Sequence, residues 1–124
     1  MQAHASLRKL SLSARKARLV VDLIRGMQVG RALALLQHQP QKVAAPLHKL
    51  LTSALSNWQH HHPEATQDPQ QLRISTIHAD AARMLKRIRP APQGRAHRIR
   101  KRSCHISLTL APLPQQSPTP SSTA

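Results

Sequence analysis

The fold of this chain is decided by a basic stretch in its second half, RMLKRIRPAPQGRAHRIRKR, which covers residues 83–102. The stretch holds nine Lys and Arg side chains and no acid. Its centre, RPAPQG at residues 89–94, contains two prolines and a glycine, a composition typical of a turn. Two arms of similar length therefore run to and from a bend, which predicts a hairpin.

The segments on both sides of this stretch alternate in side-chain character with a period of two residues, which predicts β-strands. In residues 72–77 the pattern places Leu72, Ile74 and Thr76 on one face and Ile77 on the other. In residues 104–110 one face is apolar and carries Cys104, Ile106, Leu108 and Leu110. The simplest arrangement is one long hairpin whose arms continue past the sheet for about ten residues, on the order of 30 Å. Two such strands are marginally stable alone, so we expect the hairpin to be mobile until phosphates surround it.

In the first half of the chain the apolar residues recur about every 3.6 residues, which predicts three helices. The first is capped by Ser13 and ends at Gly26, and the second covers residues 29–37. The third covers residues 42–59, and its Pro46 favours a start later than the pattern suggests over a bend in the helix. Polar residues 59–71 are expected to form a loop, and the proline-rich residues 111–124 a disordered tail that follows a single domain at residues 1–110.

The charge of the chain indicates a polyanionic partner. Lys and Arg number 19 against 4 acids, a formal net charge of +15. Sixteen of these cations lie in residues 8–31 and 83–102, whereas residues 32–72 hold two cations and two acids. Nucleic acid is the common polyanion, and an anionic membrane surface is the alternative. With one Trp and no Tyr or Phe there is little to stack on bases, so recognition should depend on phosphates and shape.

The remaining residues do not support catalysis or a cofactor. Four acids offer no convincing carboxylate pair, and there is no glycine-rich phosphate loop. The histidines at 60–62 lack the spacing of a closed metal site, and an alternating strand places Cys104 and His105 on opposite faces. Trp58 is predicted to be a core residue. A single cysteine and the absence of an apolar leader favour a cytoplasmic protein, with an organelle as the alternative.

Two motifs resemble one known family. Residues 12–26, LSARKARLVVDLIRG, resemble the first helix of bacterial large-subunit ribosomal protein number twenty-two. Residues 86–106 resemble the hairpin and returning strand of that family through Lys86-Arg87-Ile88, Pro90, Gly94-Arg95-Ala96, Ile99, Lys101-Arg102-Ser103 and His105-Ile106. The resemblance implies an α+β fold, in which three helices pack on a small three-stranded antiparallel sheet with a long extended β-hairpin. It also implies a first strand at residues 3–9.

The same resemblance implies a structural constituent of the large ribosomal subunit, with its hairpin beside the nascent-peptide exit tunnel. The implied partners are large-subunit rRNA, neighbouring ribosomal proteins and the nascent peptide. The implied rRNA-binding residues are Arg8, Lys9, Arg15, Lys16, Arg18, Arg25, Arg83, Lys86, Arg87, Arg95, Arg98, Arg100, Lys101 and Arg102. The implied tunnel-facing tip consists of Lys86, Arg87, Ile88, Arg89, Pro90, Ala91, Pro92, Gln93 and Gly94. At the tip, Ala91 and Pro92 depart from the family pattern, in which an arginine and an alanine are usual.

Two other classes of function remain open at this stage. A DNA-compacting protein could insert a basic hairpin into a minor groove, with Pro90 and Pro92 as wedges. A membrane-active cationic protein is less well supported, because residues 83–102 lack a large apolar face.

Overall fold

A computed structural model describes residues 2–63 and 71–113 of the chain. In chain order the elements are β1 (Ala3–Leu10), α1 (Ala14–Ile24), α2 (Val29–His38), α3 (Ala44–His61), β2 (Leu72–Ala81), β3 (Leu85–Pro90), β4 (Ala96–Lys101) and β5 (Cys104–Pro112). Most of the loop expected at residues 59–71, and the tail expected from residue 111 apart from its first three residues, lie outside the described residues.

Three strands form one antiparallel sheet in the order β1-β5-β2. The central strand, β5, buries Cys104, Ile106, Leu108 and Leu110, the four residues that alternation places on one face. Helix α3 packs on β1 and β5, while α1 packs on β2. The α+β fold and its strand at the start of the chain, both implied by the resemblance, are therefore confirmed.

Strand β2 breaks the simple alternation. Its register against β5 shifts between Ile74 and Thr76, so an extra residue lies in β2 at this point. Such a β-bulge reverses the faces of all residues that follow it. Ile77 is therefore buried and Thr76 is exposed, and the prediction that Thr76 faces the same side as Leu72 was wrong. The bulge allows the strand to bury its isoleucine instead of its threonine.

The first helix begins and ends as predicted. The Ser13 hydroxyl accepts a hydrogen bond from the Lys16 backbone N–H at 3.4 Å, which caps α1. Gly26 has a φ of +75°, in the left-handed region that glycine adopts without strain, and it turns the chain away from the helix.

The third helix begins late, as Pro46 indicated, and ends later than predicted. It starts at Ala44, which places Pro46 in the first turn, where its missing N–H costs no hydrogen bond. It continues to His61, and the His62 N–H donates to the Trp58 carbonyl at 2.9 Å. The prediction of a loop from residue 59 was therefore wrong for His60 and His61, because the last turn is extended by the packing of His62 on Trp58, whose rings are 4.5 Å apart.

The core between the helices and the sheet is aliphatic apart from Cys104 and Trp58, and Trp58 is 2 % exposed and thus a core residue as predicted. Among the described residues, no polar or charged residue is buried. The fold of the domain therefore depends on packing and not on buried polar contacts.

The hairpin forms a separate two-stranded sheet. Strands β3 and β4 pair from Leu85 with Lys101 to Pro90 with Ala96, and a short 3₁₀ turn, Pro92–Gly94, closes the tip. The sequence predicted that the arms would continue strands β2 and β5 without a break, and this prediction was wrong. Residues 82–84 and 102–103, here called the neck, interrupt both strands. Unlike the strands of the main sheet, the two arms have no buried face.

Candidate nucleic-acid interface

Two of the predicted phosphate ligands also hold the edge of the main sheet. The Arg18 Nε donates to the Ala79 carbonyl at 3.1 Å, and the Arg25 Nε and Nη2 donate to the Ile77 carbonyl at 3.3 and 3.0 Å. Strand β2 is an edge strand, so these carbonyls have no partner strand. The two guanidinium groups satisfy them and attach α1 to the sheet, a role that alternation and charge alone did not reveal.

Replacement of Arg25 with alanine is expected to lower the free energy of unfolding by about 1 kcal/mol, because the Ile77 carbonyl loses two charged donors at a partly exposed site. Urea denaturation followed by circular dichroism measures the change. Arg31, an exposed cation on α2, supplies the control, and Arg31→Ala should change stability by less than about 0.5 kcal/mol. Equal losses in the two variants would show that Arg25 does not hold the sheet edge.

A large basic groove lies where the hairpin meets the domain, here called the base groove. Its volume is about 970 Å³. It is lined by cations from β1, α1, the turn before α3, and the base of the hairpin, with no acid among the lining residues. These cations are Lys9, Lys16, Lys42, Arg83, Arg100, Lys101 and Arg102. The two basic blocks of the sequence therefore meet at one site in the fold.

A second groove of about 540 Å³ lies between the neck and the first half of α1. It contains Arg15 and Arg18 from the helix. Ser13, Arg102 and Ser103 line both grooves, so the neck has open space and positive charge on its two sides. An extended polyanion could contact both grooves at once.

The hairpin itself is charged across both strands. Every residue of β3 is exposed, including Ile88 at 74 %, and in β4 only Ile99 is partly covered. Lys86 lies opposite Arg100 in the strand register. Like charges in this position destabilise an antiparallel pair, so the hairpin gains stability when anions surround it.

All fourteen residues predicted to bind rRNA are exposed. Six of them line the base groove, two more line only the second groove, and Lys86, Arg87, Arg95 and Arg98 lie on or beside the hairpin strands. Arg8 and Arg25 line neither groove. Lys42 was missed, because it belongs to the nearly neutral part of the sequence and only the tertiary fold brings it to the groove.

The described residues offer no alternative chemical site. Among them, no three His, Cys, Asp or Glu side chains are grouped so that they could hold a metal ion. Burial raises the pKa of the Cys104 thiol, which disfavours the reactive thiolate. His105 accepts a hydrogen bond from the Lys9 N–H through Nδ1 at 3.0 Å on the other face of β5. No helix in the described parts is long and apolar enough to cross a membrane.

Comparison with known proteins gives one consistent result. The model of the family "Ribosomal protein L22p/L17e" matches residues 5–111. The chain is 50% identical over 108 residues to "Large ribosomal subunit protein uL22" of Flavobacterium psychrophilum, a match that covers 87% of this chain and 79% of that protein. It is 49% identical over 104 residues to the protein of the same name from Parabacteroides distasonis, covering 84% and 76%.

Proposed function

Because the chain belongs to the family of ribosomal protein L22p/L17e, we propose that it is a structural constituent of the large ribosomal subunit and binds large-subunit rRNA. The observation that carries this proposal is the base groove, in which seven cations from separate elements converge without an acid. Such an arrangement is unfavourable until anions neutralise it. Closely spaced phosphates of folded RNA supply such anions.

The contacts are made to phosphates and to RNA shape more than to base identity. The single tryptophan of the chain is buried and the chain has no Tyr or Phe, so no large aromatic side chain of the protein is available to stack on bases. Guanidinium and ammonium groups instead neutralise phosphates where RNA segments converge. The role is structural and involves no catalysis.

The hairpin extends this function into the interior of the subunit. Residues 86–94 form the end of the hairpin and are exposed apart from Ala91, which is partly covered. Their tip is a tight turn, closed by a hydrogen bond from the Ala91 N–H to the Arg95 carbonyl at 2.7 Å. In this proposal the tip lies along the nascent-peptide exit tunnel, while Arg95, Arg98, Lys101 and Arg102 hold rRNA along the shaft. Neighbouring ribosomal proteins contact the globular part, and the ribosome in question is cytoplasmic.

A sedimentation experiment tests both parts of the proposal. The full chain, expressed with a small tag in a bacterium, is expected to migrate with the large subunit on a sucrose gradient. A shortened chain lacks residues 86–89 and their register partners, residues 97–100, so that the strands still pair. It should also join the subunit, because the globular domain, the second groove and six of the seven cations of the base groove are retained, and only Arg100 of that groove is lost.

In the shortened chain the tunnel should be wider, and compounds that bind in the tunnel should act at altered concentrations. Unchanged responses to such compounds would remove the tunnel from the proposal and leave rRNA binding intact. Migration of the full chain with the nucleoid, and not with ribosomes, would overturn the assignment in favour of an architectural DNA-binding protein.

A further inference from the structure

The connection between the hairpin and the domain is slight. Strands β3 and β4 pair with each other, and neither makes more than marginal contact with another described helix or strand. Two hydrogen bonds cross the neck, from the Ala82 N–H to the Ser103 carbonyl at 2.9 Å and from the Ser103 hydroxyl to the Arg83 carbonyl at 2.6 Å. Both join the two neck segments to each other. Neither attaches the neck to the helices.

Open grooves, and not packed side chains, separate the neck from α1 on two sides. The base groove has Lys9, Lys16 and Lys42 on the domain side. On the hairpin side it has Arg83, Arg100 and Lys101. Cations on facing walls of one groove repel each other, so electrostatics favours an open groove and opposes close packing of the hairpin against the domain.

We propose that the base groove is a two-sided phosphate site in which one segment of RNA backbone bridges Lys42 and the hairpin, and thereby fixes the direction of the hairpin. This inference rests on the proposed function and adds to it a specific residue and a mechanical role. Phosphates between the two walls turn repulsion across the groove into attraction to a shared anion. The N-terminal turn of α1, which begins beside the groove at Ser13, adds a smaller attraction for the same anion.

Lys42 is the most informative residue for this proposal. It lies in the turn before α3, separated in sequence from every other cation of the groove, and it is exposed. Its side chain is exposed on this turn, so its replacement should leave the fold unchanged. Lys49 provides a matched control, because it is also an exposed lysine but lies on α3 and does not line the base groove.

The first measurement is the affinity of the full chain for a bacterial large-subunit rRNA transcript at several salt concentrations. Lys42→Ala is expected to weaken binding by about threefold to tenfold and to reduce the log–log salt slope by roughly 0.7 to 0.9, the loss of one phosphate contact. Lys49→Ala is expected to change neither quantity measurably. Equal effects of the two substitutions would overturn the groove as a site while the proposed function stands.

The second measurement follows the direction of the hairpin. Spin labels are attached to cysteines introduced at Gln37 on α2 and Ala96 at the start of β4, both exposed positions. The natural Cys104 is fully buried and should not react. Pulsed electron paramagnetic resonance is expected to show a broad distance distribution in the free protein and a narrow one with the rRNA transcript. With Lys42→Ala the distribution should stay broader at saturating RNA, but with Lys49→Ala it should narrow as in the unaltered chain.

Three results would contradict the proposal in different ways. A narrow distribution in the free protein would show that the hairpin is already fixed. Equal narrowing in the Lys42→Ala and Lys49→Ala chains would show that the groove does not fix it. If the unaltered chain did not bind the transcript at all, the proposed function would fail together with this inference.

Discussion

Replacement of Arg98, Arg100, Lys101 and Arg102 with glutamine is expected to weaken binding to large-subunit rRNA by about a hundredfold or more at low salt. These side chains are exposed and lie along β4 and the neck, and the last three line the base groove. If each contacts one phosphate, the log–log salt slope should fall in magnitude by roughly 3 to 4. For the unaltered chain, six to ten phosphate contacts correspond to a slope of roughly −4 to −9. Filter binding of the rRNA transcript across a salt series measures both quantities.

The control for this experiment separates local contacts from net charge. Arg31 and Lys49 are exposed cations that line neither the base groove nor the second groove. A chain with Arg31→Gln and Lys49→Gln should lose far less affinity per charge removed. If the loss per charge were the same in both chains, binding would depend on overall charge alone, and the grooves would have no special role.

The helices could be predicted because their signals are local. Ser13, Gly26 and Pro46 act on the backbone within one turn, and each marks a helix boundary in the structure where the sequence indicated one. The end of α3 is set by a contact between two side chains and not by a single residue. It depends on the contact between His62 and Trp58, one turn apart, which no propensity encodes. The helix consequently extends past residue 59, where prediction ended it.

The strand predictions failed where tertiary packing overrides a period of two. Alternation alone put Ile77 outside and Thr76 inside, but the bulge after Ile74 lets β2 bury the more apolar side chain. Arg18 and Arg25 were predicted to bind only RNA, because the sequence does not show that β2 is an edge strand whose carbonyls need donors. An unpaired carbonyl on an edge strand becomes visible only when the order of the strands is known.

The candidate site likewise contains residues that the sequence predicts and one that only the fold reveals. Most of its cations could be predicted, because acid-free runs of charge are visible in the sequence and the family resemblance selects among them. Lys42 could not, since its neighbours in sequence are neutral and its neighbours in the groove come from β1, α1 and the hairpin base. Convergence of distant segments is a property of the fold, and this convergence, more than the charge total, makes the groove a specific site.

Replacement of Trp58 with alanine is expected to lower the free energy of unfolding by about 3 to 5 kcal/mol, the usual cost of a large cavity in a core. Trp58 is 2 % exposed and is the only aromatic residue of this core. A domain of this kind has roughly 5 to 15 kcal/mol of stability in total, and a charge of +15 opposes its compact state. The isolated variant should therefore be partly unfolded at low salt, as measured by far-ultraviolet circular dichroism. The exposed Leu19 supplies the control, and Leu19→Ala should change stability by less than about 0.5 kcal/mol.

The tryptophan variant also separates folding from binding. Trp58 lines neither groove, so the folded fraction of Trp58→Ala should bind rRNA with the salt slope of the unaltered chain. RNA that binds only the folded state should restore the helical signal as its concentration rises. The four glutamine substitutions should have the opposite effect, with intact folding and a reduced slope. If Trp58→Ala remained fully folded but lost RNA affinity, the side chain would contact RNA directly, and its assignment to the core would be wrong.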